Sequence, residues 1–259
     1  MAGRAFKLLI LGGTSEGRAL AHAVHKANPH VHLITSLAGV TEPAPDLPGE
    51  VRSGGFGGAD GLATYIKDNA INALIDATHP FAQRITENAM QACAQTDTPY
   101  LRLDRPEWTM PADTDVVFVP DAPEAARLVA RTSAAALLTI GRKDLAAFEG
   151  VAKVKLVVRV IEQPDTGLKL NNAAYVIARP PFTLDGEVAL MQAYGIDTVV
   201  TKASGGDATR AKLDAAARVG ARLVVLRRPP APDVEPGFGR RFGRVFNVND
   251  ALAWLSARL

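Results

Sequence analysis

Four short stretches hold the groups through which this chain could act on another molecule. The first is Gly12-Gly13-Thr14-Ser15-Glu16-Gly17-Arg18, a glycine cluster between an apolar run and a helix-like pattern. Such a turn leaves backbone N–H groups open and directs the positive end of a helix dipole outward, which is the chemistry of phosphate and pyrophosphate binding. The second is Thr78-His79-Pro80-Phe81. Pro80 suits the first turn of a following helix and puts Thr78 and His79 at its cap, where a histidine either caps the helix or meets a bound molecule. The third brings Arg102 and Arg105 close in sequence to Trp108. Two guanidiniums beside an indole either clamp carboxylates and stack on a flat ring system or form a salt-bridged hinge. The fourth is a set of cations at strand ends, Arg142, Lys143, Arg179 and Lys202, the last running into Ala203-Ser204-Gly205-Gly206-Asp207. Singly each is a surface charge; together on one sheet edge they predict an anionic ligand.

Three motifs share the letters of the first stretch. A P-loop needs Lys and then Ser or Thr after its last glycine, whereas Arg18 and Ala19 follow Gly17. The G-x-S-x-G nucleophile elbow is spelled by residues 13–17, but nothing upstream could supply the second oxyanion donor. The dinucleotide fingerprint is met at Gly12 and Gly17, with Thr14 in the middle place. A turn that only closes a strand–helix unit remains open. At the end of the next strand, where a dinucleotide's adenosine ribose would lie, Thr35 and Ser36 replace the usual acid, which favours NADP over NAD.

Positioning these residues requires strands that end at each of them. Apolar runs predict strands over 6–11, 31–36, 50–53, 73–76 and 100–103, alternating with helix-like patterns. Thr41 to Pro48 is a proline-rich loop, and Gly54-Gly55-Phe56-Gly57-Gly58 gives either close backbone approach to a ligand or a flexible turn. The register then restarts. Strands are predicted over 116–119, 135–140, 154–160, 175–177, 198–201 and 222–226, with helices over 122–131 and 184–194. Loops follow at Glu162-Gln163-Pro164 and from Arg227 to Arg241, and a short helix over 251–259 closes the chain. The expectation is an α/β protein of two Rossmann-like half-domains with mainly parallel sheets and a ligand cleft between them. Residues 1–107 would form the NADP-binding half and 108–259 the half completing the substrate cleft.

With 47% hydrophobic residues and a net charge of +2, the chain has ample core material and no basic block of the kind nucleic acids attract. No 18-residue apolar span or signal-peptide pattern is present, and a cytoplasmic protein without a membrane partner is expected. The single cysteine, Cys93, lies in a helix-like stretch and is expected to be a buried structural thiol. His22, His25, His30 and His32 lack the carboxylate or cysteine partners of a metal site, so no metal is expected.

In order and spacing, four motifs together resemble one family: residues 9–18, Ile75-Asp76-Ala77-Thr78-His79-Pro80-Phe81-Ala82, Leu101-Arg102-Leu103-Asp104-Arg105-Pro106 with Trp108, and Thr201-Lys202-Ala203-Ser204-Gly205-Gly206. These are similar to the precorrin-6A and cobalt-precorrin-6A reductases of corrin biosynthesis, along essentially the whole chain. Two positions depart from the family pattern. Ala203 stands where Asp or Glu is usual, and Arg179-Pro180-Pro181-Phe182 where Arg-Gly-Pro-Phe is usual. The resemblance implies an NADPH-dependent reductase that saturates one carbon–carbon double bond of a carboxylate-fringed tetrapyrrole. Under it, Gly12, Gly13, Thr14, Ser15, Glu16 and Gly17 would hold the pyrophosphate or nearby ribose. Ser36 would approach the 2′-phosphate, and Thr78, His79 and Phe81 would border the nicotinamide. Arg18, Arg102, Arg105, Lys202, Ser204 and Gly205 would face the substrate, with His79 and Lys202 as candidate proton donors. A monomer is compatible with all of this. A short-chain reductase would need Lys four residues after a tyrosine, which none of Tyr65, Tyr100, Tyr175 and Tyr194 has. A non-catalytic NADP or tetrapyrrole sensor on the same fold is the reading from another class.

Overall fold

A computed structural model of the chain describes residues 5–39, 46–162, 167–230 and 241–259. The expected loops at 41–48, 162–164 and 227–241 lie largely outside the described residues. Two six-stranded sheets, every pairing parallel, carry the architecture. The α/β expectation with parallel sheets is met.

The first sheet is built around β1 (Lys7–Leu11), flanked by β2 (His32–Leu37) and β3 (Glu50–Ser53) on one side. On the other side stand β4 (Ala73–Asp76) and β5 (Tyr100–Leu103). Helices α1 (Ser15–Ala27), α2 (Gly58–Asp68) and α3 (Gln83–Thr96) connect successive strands. Alternate residues of β1 face opposite layers, as a strand's period of two requires. Leu8 and Ile10 pack with Leu20 and Val24 of α1, whereas Leu9 and Leu11 pack with Leu62 and Ile66 of α2 and Cys93 of α3.

The second sheet repeats the plan. Its strands are β6 (Val116–Val119), β7 (Ala135–Thr139), β8 (Lys155–Val160), β9 (Ala173–Ile177), β10 (Thr198–Lys202) and β11 (Arg222–Leu226). Helices α4 (Ala122–Thr132), α5 (Leu184–Tyr194) and α6 (Ala211–Val219) link them. Leu137, Val199 and Leu223 pack against Met191 of α5 and Leu213 of α6, while the alternate residues Leu138, Val200 and Val224 are equally buried.

The last strand, β12 (Phe242–Val245), and the helix α7 (Val248–Ser256) return to the first sheet. The sheet orders are β12-β5-β4-β1-β2-β3 and β6-β11-β10-β7-β8-β9. Each therefore follows the doubly wound order 3-2-1-4-5-6, with the sixth place taken in the second sheet by β6, which precedes its other strands, and in the first by β12, which returns from the far end of the chain. β6 follows β5 in sequence yet pairs with β11; β12 follows β11 yet pairs with β5. The compact units are consequently residues 1–105 with 229–259, and 106–228. The expected assignment of all of 108–259 to one half differs here, because β12 extends β5 and Trp254 of α7 is buried in the core around Leu8 and Leu20. Among the described residues no helix is long and apolar enough to cross a membrane.

Candidate active site

In a doubly wound sheet, loops diverge where neighbouring strands send their connections to opposite faces, and ligands bind at the carboxyl ends of those strands. In the first sheet that point lies between β1 and β4, whose following loops are Gly12–Thr14 and Ala77–Ala82. Thr14 joins the two. Its Oγ1 donates to the Ala77 carbonyl oxygen (2.7 Å) and accepts from the Gly17 N–H (3.0 Å), so the hydroxyl that caps α1 also pins the helix start to β4.

Each glycine here has its own cause. A Cβ on Gly12 would meet Thr35 Cγ2 at 3.1 Å, and one on Gly17 would lie 3.3 Å from Ala77 Cβ, the close helix–strand approach of the fingerprint's last glycine. Gly13 adopts φ +105, a conformation side chains resist, and nothing lies within 4 Å of where its Cβ would stand. Thr14 turns its side chain inward, so the exposed Gly13 rather than the fingerprint's middle place offers the open backbone. The N–H groups of Ser15 and Glu16, in the first helical turn, have no intrahelical acceptor. Arg105 forms an ion pair with Glu16 and donates from Nη2 to Ser15 Oγ (3.4 Å). Expected at a substrate, Arg105 is thus paired with Glu16 at the N-terminus of α1, while Arg18 is exposed on that helix.

The loop after β4 is held from beneath by charge. Asp76 Oδ1 accepts from the Thr78 N–H (3.0 Å), from Thr78 Oγ1 (2.7 Å) and from Arg102 Nη1 (2.7 Å); Tyr100 Oη donates to Oδ2 (3.2 Å). Arg102 also donates to Thr78 Oγ1 (3.0 Å), Thr86 Oγ1 (3.3 Å) and the Thr78 carbonyl (3.0 Å). Only 3% exposed, Arg102 does not face a ligand as expected; it is the counter-ion of Asp76 and fixes Thr78. Burial is the largest single effect on Arg102 and lowers its pKa, but Asp76, Tyr100 and Asp104 together hold it above the ordinary value. Burial, reinforced by Asp76, pushes the Tyr100 phenol well up.

α3 begins at Gln83, later than Pro80 would have it, because the intervening residues close a turn of their own. The Phe81 N–H donates to His79 Nδ1 (3.2 Å) and the Ala82 N–H to the His79 carbonyl (2.8 Å). A backbone N–H can only donate, so this contact favours the neutral ring with its proton on Nε2. Thr78, His79 and Phe81 are partly exposed at the same sheet edge as Gly12.

At the end of β2, Ser36 is buried and its Oγ accepts from Arg52 Nη1 (2.7 Å), a residue of β3 that pairs directly with it. Sequence reasoning passed over Arg52. The only available signal was a cation at a strand end just before the glycine cluster, and the pairing of β2 with β3 is what gives that position meaning.

The corresponding point of the second sheet lies between β7 and β10. There Lys202 Nζ, at the end of β10, forms an ion pair of 2.5 Å with Asp144 Oδ2 in the turn after β7. The Ala203–Gly206 loop is gripped through its carbonyls: Arg228 donates to those of Ala203 (3.1 Å) and Ser204 (3.0 Å), and Trp108 Nε1 to that of Gly206 (2.7 Å). Gly205 and Gly206 both take positive φ. Ser204 and Gly205 are buried within this loop, and Trp108 lies against the Lys212 ammonium, 4.6 Å from its ring centre. Arg142 and Arg179 share Glu162, at 3.7 and 3.5 Å. Among the described residues no cluster of His, Cys, Asp and Glu could hold a metal ion.

The structure thus brings Gly12–Gly17, Arg105 and Thr78–Phe81 together in one unit, with Ser36 two strands from β4. It gathers Lys202, Ser204 and Gly205 in the other. The family profile described as precorrin-6x reductase CbiJ/CobK matches residues 7–256. A precorrin-6A reductase of Rhodococcus erythropolis is 41% identical over 250 residues, 96% of this chain and 97% of that protein. One of Mycobacterium tuberculosis (strain CDC 1551 / Oshkosh) is 44% identical over 228 residues, 87% of this chain and 90% of that protein. A cobalt-precorrin-6A reductase of Priestia megaterium is 31% identical, covering 86% and 90%. A solved structure of CobK precorrin-6A reductase superposes with a TM-score of 0.87 at 33% identity, covering 98% of this chain and 97% of that one. The chain belongs to the precorrin-6x reductase family, CbiJ/CobK.

Proposed function

We propose that the chain reduces one C=C bond of precorrin-6A with NADPH, giving the dihydro product. The observation that carries this reading, beside membership of the family, is the glycine turn of α1 locked to the β4 loop at the first sheet's divergence point. A nicotinamide cofactor, when bound, supplies a hydride for one carbon of the double bond, and the neighbouring carbon takes a proton.

The residues fit such a cofactor. Gly13 leaves its approach open, and the N–H groups of Ser15 and Glu16 with the helix dipole suit a pyrophosphate. Arg105 offsets the Glu16 carboxylate at that helix start, and Thr78, His79 and Phe81 border the nicotinamide. No carboxylate stands at Ser36 to repel a 2′-phosphate.

For the proton, Lys202 is the stronger candidate. Its ammonium is held by Asp144, whereas the Phe81 N–H on His79 Nδ1 disfavours the imidazolium that a histidine acid requires. His79 then serves as a hydrogen-bond donor that orients its partner through Nε2. Arg18 and the loop Lys202–Gly205 suit the substrate's carboxylates. Arg102 acts from behind, by holding Thr78.

The test is NADPH oxidation in the presence of precorrin-6A, followed by single-turnover hydride transfer in Lys202→Ala and His79→Ala. Expected are one NADPH oxidised per macrocycle, a slowed and pH-altered step in Lys202→Ala, and weaker nicotinamide binding in His79→Ala. Binding of both molecules without oxidation would make the chain a sensor. Lys202→Ala with the wild-type rate and pH profile would place the acid elsewhere.

A further inference from the structure

Resting on the NADPH reading above, we propose that Arg52 determines the choice between NADPH and NADH by binding the 2′-phosphate. The guanidinium stands at the carboxyl end of β3, which pairs with the carboxyl end of β2 through Ser36 and Arg52. In doubly wound folds the ribose of the adenosine lies at the end of this second strand. Ser36, 6% exposed and already accepting from Arg52, offers little surface of its own; Arg52 is only partly buried.

The guanidinium is fixed before any ligand arrives. Its Nη1 donates to the carbonyl of Gly54 (3.1 Å) as well as to Ser36, and Nη2 donates to the carbonyl of Gly55 (3.2 Å). One face lies on the Phe56 ring, 3.8 Å from its centroid, and the Tyr65 ring stands 5.2 Å away. Phe56 and Tyr65 in turn meet edge to face. Gly54, Gly57 and Gly58 take positive φ, and nothing lies within 4 Å of where their Cβ atoms would stand. Those glycines are therefore demanded by the path of the turn, which curls its carbonyls back onto Arg52, and not by crowding. Among the described residues these acceptors engage three of the five N–H donors of a guanidinium. A guanidinium so oriented suits a phosphate dianion, with little ordering cost on binding.

The experiment titrates wild-type protein, Arg52→Ala and Ser36→Asp with NADPH and with NADH, following nicotinamide fluorescence without any macrocycle. Arg52→Ala is expected to weaken NADPH by about 10- to 100-fold, the worth of a charge-assisted contact. Its affinity for NADH should stay within about twofold. Ser36→Asp keeps Arg52 and the turn but neutralises the cation with a neighbouring carboxylate, and should likewise lose the preference for NADPH. Equal weakening of both nucleotides in Arg52→Ala would make Arg52 a fastener of the glycine turn and overturn the inference, as would unchanged NADPH affinity in both variants. Failure of the wild-type protein to bind either nucleotide would overturn the cofactor reading itself.

Discussion

Asp76 and Arg102 form a buried pair in which neither side chain could be removed without stranding the other. With side-chain exposures of 0 and 4%, they exclude water; Thr78, Thr86 and Tyr100 hydrogen-bond to the pair, and Asp104 lies 3.9 Å from the guanidinium. Arg102→Met should cost about 3–5 kcal/mol in urea unfolding, because Asp76 would stay buried without its counter-ion. The double variant Asp76→Asn, Arg102→Met should cost clearly less than the two single changes added together; strict additivity would deny the coupling. Sequence motifs located Arg102 but not its role, since an arginine at a strand end gives no sign of which way it points until the Asp76 on the neighbouring strand is known. Cys93 was more legible: an apolar helix face buries a thiol. Burial pushes its pKa up to about 12, helped by Asp76, and Tyr100 moves in the same direction. A raised native pKa stabilises the fold fully below the unfolded value, 9.0 for the thiol, and that contribution is lost as pH climbs through about 12. The urea midpoint should therefore fall above pH 9, and native Cys93 should resist alkylation at pH 8.5 until denaturant is added.

At the scale of elements, α1 is tied to the sheet through one hydroxyl. Thr14 satisfies an N–H of the helix start and a carbonyl of the β4 loop at once, so losing it affects both sides of the proposed pyrophosphate site. Thr14→Ala should cost about 1 kcal/mol for the cap and about 1–3 kcal/mol for the stranded Ala77 carbonyl, in thermal or urea unfolding. It should also raise the KM for NADPH. Thr14→Ser, which keeps the hydroxyl, should recover most of both; if it does not, the methyl packing and not the hydrogen bonds is what matters. Most elements were visible in the sequence because their hydrophobic period and their boundary residues agree. The runs at 50–53, 73–76, 100–103 and 222–226 are strands over those very residues, and the helix over 184–194 is bounded by the Thr183 cap and by Gly195 in left-handed conformation. β12 was not visible. Its residues Phe242-Gly243-Arg244-Val245 hold two apolar side chains and a glycine, and it becomes a strand only by pairing with β5, where Arg244 meets Asp104 at 2.6 Å.

The same hidden strand governs the whole molecule. Pairing over such a sequence separation leaves no local trace, so the repeat of two half-domains, with 116–119 opening the second, was legible but the return of β12 to the first sheet was not. A chain ending at residue 107 would expose the β5 edge, where the Tyr100 N–H now reaches the Arg241 carbonyl and the Asp104 N–H that of Val245. It would also lose Ala251, Trp254 and Leu255 from the core around Leu8, Ile10 and Leu20. Trp254 alone, fully buried, contributes about 3–5 kcal/mol, a large share of the 5–15 kcal/mol that holds a domain of this size together. Residues 1–107 alone should therefore fail to show a cooperative urea transition or to bind NADPH. Residues 1–105 joined directly to 229–259 should do both. The join is sterically possible: residues 229–241 reach about 40 Å when extended, against about 13 Å for the length of the four-residue β5 they must run back along. A cooperative, NADPH-binding 1–107 would show that β12 and α7 are dispensable to the first sheet; an inert joined chain would show that this unit needs residues 106–228 in order to fold.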